Sequence, residues 1–116
     1  METELDEVTY ERCHFTCVYC GFDGRGFDEW MQLSIDHVVP RSCGGTDEPQ
    51  NRVAACGSCN CITSRMKFDA TMPRAEILEK KREYIRESRK NYYRVWAEKV
   101  APKFLERPLL PLPTNR

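Results

Sequence analysis

The sequence predicts an α+β fold in which a β-hairpin and a short helix form a small core and a long helix follows it. Residues 31–36 alternate apolar and polar side chains as a half-buried strand does, and residues 51–55 are long enough for a second strand. One Cys-x-x-Cys pair precedes the first strand and another follows the second. Pro73 suits a first helical turn, and good helix formers continue from there to about Val100.

The chain is predicted to consist of four segments. Residues 1–12 are an acidic extension with little patterning, either frayed or a short helix. Residues 13–72 form the core, residues 73–107 form the long amphipathic helix, and residues 108–116, with three prolines, form an extended tail. A chain of 116 residues suits one compact domain with a terminal extension.

Within the core, the first strand leads directly into His37. Residues 42–49 contain two glycines and a proline, so the chain must turn there before the second strand begins. After that strand, residues 60–67 lack glycine and proline and are predicted to form a short helix. The predicted order is therefore strand, loop, strand, helix.

The long helix is predicted to be amphipathic and basic. Its apolar stripe consists of Leu78, Ile85, Tyr92 and Trp96. Residues 74–116 contain twelve Lys and Arg against six Asp and Glu, whereas residues 1–73 contain six against twelve. Although the net charge of the chain is zero, its C-terminal half is positively charged, which favours an anionic partner such as nucleic acid.

The two cysteine pairs supply four soft ligands at the spacing of metal-binding knuckles. They are Cys17, Cys20, Cys56 and Cys59. Four thiolates complete a tetrahedral coordination shell, which predicts a closed, structural zinc site. Reduced core cysteines or a redox pair are the alternatives, and His14 could replace one thiolate. Cys13, Cys43 and Cys61 are predicted to be small apolar fillers.

Cysteine usage and hydropathy also bear on the compartment. The odd cysteine count argues against a fully paired disulfide framework, and no charged-then-apolar segment opens the chain. The protein is therefore expected in the reducing cytoplasm of a cell. No apolar run approaches the roughly 20 residues of a membrane-spanning helix, so no membrane partner is expected.

Four polar residues are predicted to converge at one edge of the hairpin. Asp36 and His37 end the first strand, Asn51 opens the second, and Asn60 begins the following helix. If the helix packs across the hairpin, a carboxylate, an imidazole and two amides meet at an edge that zinc holds in place. The non-catalytic alternative is a buried hydrogen-bonded Asp36–His37 pair, with the two asparagines serving only as caps.

The motif around these residues resembles the HNH endonuclease family. It comprises residues 35–46 (IDHVVPRSCGGT) and residues 51–60 (NRVAACGSCN). The resemblance covers residues 13 to about 68 and implies a ββα-metal core, that is, a β-hairpin plus a helix around a metal. The last family position is histidine in many members and asparagine in others. Because it is Asn60 here, the chain resembles an H-N-N variant with a four-cysteine zinc site.

The resemblance also implies a role for each polar residue. His37 is implied to be the general base that activates water, Asp36 and Asn60 to be the protein ligands of a catalytic cation, and Asn51 to orient the His37 loop. Carboxylate and amide oxygens suit Mg²⁺ or Mn²⁺. The implied activity is hydrolysis of phosphodiester bonds in nucleic acid, with DNA favoured. A catalytically silent, zinc-stabilised module that binds nucleic acid or protein is the alternative.

Basic side chains near the motif and on the long helix are candidate nucleic-acid contacts. They are Arg41, Arg65, Lys67, Arg82, Arg86 and Arg89. Those on the helix, together with Tyr93, could follow a phosphate backbone, although an ordinary solvated face is the alternative. The sequence leaves open whether the substrate is DNA or RNA, which sequence is preferred, whether one strand or both are cut, and which catalytic metal is preferred. It also leaves open the biological pathway and the oligomeric state, of which a dimer is one option.

Overall fold

The computed structural model describes residues 4–106, with side chains up to Phe104. The helices are α1 (Glu4–Arg12), α2 (Phe27–Trp30), α3 (Gly57–Thr63), α4 (Arg74–Val95) and α5 (Ala101–Glu106), and the strands are β1 (Leu33–His37) and β2 (Arg52–Cys56). Short 3₁₀ turns span Arg41–Cys43 and Pro49–Asn51, and a π-helical turn spans Trp96–Val100. The α+β class, the hairpin-plus-helix core and the long helix are confirmed. The tail predicted at 108–116 lies outside the described residues.

Strands β1 and β2 pair in an antiparallel ladder that runs from Leu33 opposite Cys56 to His37 opposite Arg52. Successive side chains of a strand point to opposite faces. Ser34 and Asp36 therefore share one face of the hairpin, and His37 lies on the other. Both strands are shifted by one or two residues from the predicted ranges, and the ladder includes His37 itself.

Each face of the hairpin is covered by different elements. On one face, Tyr10 of α1 packs with Leu33 and Ala54, so the undecided N-terminal segment is a helix with a structural role. The other face belongs to the main core. Its buried residues are Cys17, Tyr19, Val38, Val53, Ala55, Cys56, Cys59, Ile77 and Ile85.

Helix α3 begins at Gly57, three residues before the predicted start at Asn60. The reason is a side-chain cap that sequence patterning does not show: the Sγ atom of Cys56 accepts a hydrogen bond from the backbone N–H of Cys59. The earlier start places Cys59 and Asn60 on the same helix, one residue apart.

Helix α4 begins as predicted at Arg74, but its buried stripe differs from the predicted one. Ile77, Lys81 and Ile85 are buried, whereas Tyr92 is 66% exposed and Trp96 is 46% exposed. Of the predicted apolar stripe, Ile85 is therefore buried, whereas Tyr92 and Trp96 are exposed. A lysine, Lys81, occupies the buried face between Ile77 and Ile85.

The chain divides into two compact units, residues 1–86 and residues 87–116. The four-segment division predicted from the sequence stays a prediction. Within residues 4–106, no helix combines the length and the apolar character that crossing a membrane would require.

Candidate active site and metal sites

The four knuckle cysteines meet in one cluster. The Sγ atoms of Cys17, Cys20, Cys56 and Cys59 all lie within 4.8 Å of one another, and those of Cys20 and Cys56 are 3.8 Å apart. Zn–S bonds of about 2.3 Å in a tetrahedron require S–S separations of about 3.8 Å. The cluster therefore fits a metal ion such as zinc, bound by thiolates alone.

The protonation of the thiols shows how the cluster would respond to a metal. Burial raises the pKa of the Cys20 thiol to about 11 and raises the pKa of Cys59 still further. Burial also disfavours ionisation of Cys17, but hydrogen bonds from backbone N–H groups leave its pKa below the usual value. Cys20 and Cys59 are thus protonated at neutral pH unless a metal binds, and metal binding there must release their protons.

Asp36 lies on the face of the hairpin that packs against α4. Its Oδ2 atom accepts a short hydrogen bond from the hydroxyl of Tyr19 and a bond of 3.1 Å from Lys81 Nζ. The carboxylate is 12% exposed and the lysine 2%. Burial and the neighbouring carboxylate raise the pKa of Tyr19 far above its usual range, so its hydroxyl stays a donor.

Asn60 reaches the same face from α3. Its Nδ2 atom donates a hydrogen bond of 2.8 Å to Ser34 Oγ, and that hydroxyl donates in turn to Ala55 O. Because Ser34 and Asp36 are two residues apart on β1, their side chains are neighbours on this face. Among residues 4–106, neither Asp36 Oδ1 nor Asn60 Oδ1 receives a hydrogen bond.

His37 lies on the opposite face, next to a charged loop residue. Its Nε2 atom is 2.6 Å from Asp47 Oδ1, and Arg41 donates to the same oxygen at 2.8 Å. These two contacts, His37 first, hold the pKa of the Asp47 carboxyl below its usual range, so Asp47 is ionised. No hydrogen bond joins the His37 ring to Asp36, Asn51 or Asn60 among the described residues.

Asn51 is buried and closes the loop that follows His37. Its Oδ1 atom accepts from the N–H of Val39, and its Nδ2 atom donates to the carbonyls of Val39 and Thr46. The same loop needs Gly45, because a Cβ atom there would lie 1.7 Å from Val39 O. The amide therefore fixes the backbone two residues beyond the imidazole.

Residues 17–64 match the family model described as HNH endonuclease. This segment is an HNH domain. It contains both strands, α3, the four clustered cysteines and the four polar residues described above. Neither the curated proteins nor the solved structures that were searched gave a match to the chain.

An HNH domain suggests nuclease activity on nucleic acid. Inside the HNH domain, Asn60 contacts Ser34, which shares a face of β1 with Asp36, and Asn51 lies against the loop after His37. The imidazole of His37 lies on the other face of the strand, and Asn60 lies beside Ser34 near the start of β1. Among the described residues, these four side chains therefore do not form one hydrogen-bonded cluster.

The candidate nucleic-acid contacts differ in whether their side chains already have hydrogen-bond partners within the protein. Arg82 donates to the carbonyl of Val18 at 3.1 Å and to Glu79, and Arg41 is bound to Asp47. The other four are exposed side chains with no hydrogen-bond partner among the described residues: Arg65, Lys67, Arg86 and Arg89. Arg82 therefore has a role in holding α4 to the HNH domain.

Sequence reasoning missed four side chains that surround the end of β1: Tyr19, Asp47, Arg52 and Lys81. Buried Arg52 forms a short ion pair with Asp6 of α1, and its other terminal nitrogen is 3.5 Å from Asp47. Lys81 breaks an apolar i, i+4, i+8 pattern between Ile77 and Ile85, which was the one available signal for a buried lysine.

Proposed function

We propose that this chain is a metal-dependent endonuclease that hydrolyses phosphodiester bonds in nucleic acid, with DNA as the substrate. The observation that carries the proposal is the arrangement of side chains on the two faces of β1 within the HNH domain. The partly buried Asp36 carboxylate and the Asn60 amide lie on one face, and an imidazole with an acidic partner lies on the other. A zinc-stabilised binding module without chemistry would not need this arrangement.

Asp36 and Asn60 are proposed to bind the catalytic cation, Mg²⁺ or Mn²⁺, through their Oδ1 atoms. The donor set supports this, because both are hard oxygen atoms and both lack hydrogen-bond partners among the described residues. Two protein ligands leave room for water and a phosphate oxygen. A cation bound there would neutralise charge on the phosphate and on the leaving oxygen.

His37 is proposed to act as the general base. An ionised Asp47 favours a proton on Nε2, where the 2.6 Å contact lies, so that Nδ1 is the nitrogen with a free lone pair. Nδ1 then accepts a proton from the attacking water, and Asp47 stabilises the imidazolium that results. Asn51 acts through the backbone, because its three hydrogen bonds fix the loop that begins at Val38.

The cysteine cluster is proposed to hold zinc with a structural role. All four coordination positions are filled by thiolates, so no position is left for water or substrate. Because Cys59 directly precedes Asn60, zinc would fix the helix that carries one of the two catalytic ligands.

Exposed basic side chains are proposed to bind the nucleic-acid backbone. Arg65 and Lys67 follow α3 just after the end of the HNH domain, and Arg86 and Arg89 lie on α4. Contacts to phosphates give affinity without base recognition.

A plasmid assay tests the proposal. Zinc-loaded protein is incubated with supercoiled plasmid and Mg²⁺ or Mn²⁺, with and without EDTA, alongside labelled single-stranded DNA and RNA. We expect cation-dependent nicking or linearisation that EDTA abolishes, and slower cleavage of RNA. Binding of DNA without any cleavage under these conditions would instead favour the silent binding module.

A further inference from the structure

Lys81 is a fully buried lysine on a helix that lies beyond the matched HNH domain. It occupies the middle of the buried stripe of α4, one helical turn from Ile77 and one from Ile85. A buried ammonium group is costly unless it is paired. Its presence in an otherwise apolar stripe therefore calls for partners that offset this cost.

Both hydrogen-bond partners of Lys81 belong to the candidate active site. Nζ donates to Asp36 Oδ2 at 3.1 Å and to the backbone carbonyl of His37 at 3.0 Å. The ammonium also lies 5.7 Å from the centre of the Tyr19 ring, and the Tyr19 hydroxyl donates to the same Asp36 oxygen. One lysine thus contacts the proposed cation ligand and the backbone of the proposed base.

We propose that Lys81 is a positioning residue that holds Asp36 by Oδ2 and presents Oδ1 to the catalytic cation. This inference rests on the proposed function, because it assumes that Asp36 is a cation ligand. Two consequences follow from charge and geometry. The fixed ammonium competes with the divalent cation for the negative charge of Asp36, which weakens cation binding. It also keeps Asp36 and the His37 backbone in one arrangement, which raises the rate once the cation is bound.

The two consequences give Lys81 a signature that a purely structural residue lacks. In Lys81→Met, which keeps most of the length of the side chain and removes its charged terminal atom, Mn²⁺ should bind about tenfold more tightly. Cleavage at saturating Mn²⁺ should nevertheless be slower by up to about 10²-fold. The matched control is Lys80→Met, which removes the same charge from an exposed neighbour and should change neither property.

The first measurement is a calorimetric Mn²⁺ titration of the zinc-loaded proteins without substrate, followed by plasmid cleavage at saturating Mn²⁺. Unchanged or weaker Mn²⁺ binding by Lys81→Met would overturn the proposal, and so would an unchanged cleavage rate. If the parental protein binds Mn²⁺ but cleaves nothing, the proposed function fails, whereas the titration still decides whether Lys81 acts on Asp36.

Thermal unfolding keeps the test decisive if Lys81→Met folds poorly. Loss of the ammonium leaves the Asp36 carboxylate buried without its counter-charge, so the variant should have a lower melting temperature. Asp36→Asn in the same chain removes that charge and should restore part of the loss. Mn²⁺ should raise the melting temperature of Lys81→Met more than that of the parent. A double variant no more stable than Lys81→Met would contradict the proposed ion pair.

Discussion

The cysteine cluster and the proposed cation ligands Asp36 and Asn60 would form opposite kinds of metal site. The cluster has four thiols whose sulfur atoms lie within 4.8 Å of one another, whereas the proposed cation site would have two protein oxygen atoms, with its other positions filled by solvent and substrate. Filled coordination stabilises a fold, and open coordination permits chemistry. Under the proposed function, a residue that stabilises the fold, Cys59, and a residue that serves catalysis, Asn60, are therefore joined by a single peptide bond.

The largest expected effect comes from breaking the closed site. Cys56→Ser removes one thiolate and the cap of α3. The free energy of structural zinc binding is on the order of 10 kcal/mol and contributes to the free energy of folding. The variant should lose zinc by elemental analysis and lose its cooperative thermal transition. Cys61→Ser, which changes an exposed cysteine on the same helix, should keep both. A folded, zinc-free Cys56→Ser protein would show that the cluster is not a structural metal site.

Removal of the proposed base should affect the rate and spare the fold. His37→Ala should lower the cleavage rate by about 10²- to 10⁴-fold, because a general base contributes by that much. Its zinc content and its affinity for DNA should match those of the parent. The other histidine supplies the control, since His14 is exposed and His14→Ala should cleave normally. Parental cleavage by His37→Ala, with Asp36→Ala inactive to exclude a contaminating nuclease, would disprove the assigned mechanism.

The smallest expected effect lies outside both metal sites. Arg86→Ala combined with Arg89→Ala should weaken DNA binding and lower the slope of log affinity against log salt by about 1 to 2, since each lost phosphate contact removes roughly one counterion. Arg74→Ala combined with Lys80→Ala changes the net charge equally and serves as the control. Equal slopes in the two double variants would mean that net charge alone, and no specific contact, governs binding. Arg82 is left unchanged because it holds Val18.

The parts of the fold that were predictable from the sequence depend on local patterns. Alternation predicted the hairpin, paired Cys-x-x-Cys spacing predicted the cysteine cluster, and helix formers after Pro73 predicted α4. The predicted order of strand, loop, strand and helix also placed Asp36 on a strand and Asn60 on the helix that packs across the hairpin. The sequence could therefore suggest that the two side chains lie on one face.

The rest depends on contacts between residues far apart in the chain. Lys81 is separated from Asp36 by 45 residues, and Arg52 from Asp6 by 46, so neither pair leaves a local signature. For the same reason the burial of Lys81 and the exposure of Tyr92 could not be read from helical periodicity. Periodicity identifies a face, and only the packed partner decides how far along the helix that face is covered.

Because Cys59 and Asn60 are adjacent in α3, an insertion between them would change the position of Asn60 relative to the cysteine cluster. A residue inserted between them would turn every later position of α3 by about 100° and advance it by about 1.5 Å along the helix. All four sulfur ligands would be retained, yet Asn60 would rotate away from Ser34. One added residue at this point would therefore leave the cysteine cluster intact and misdirect a side chain that is proposed to bind the catalytic cation.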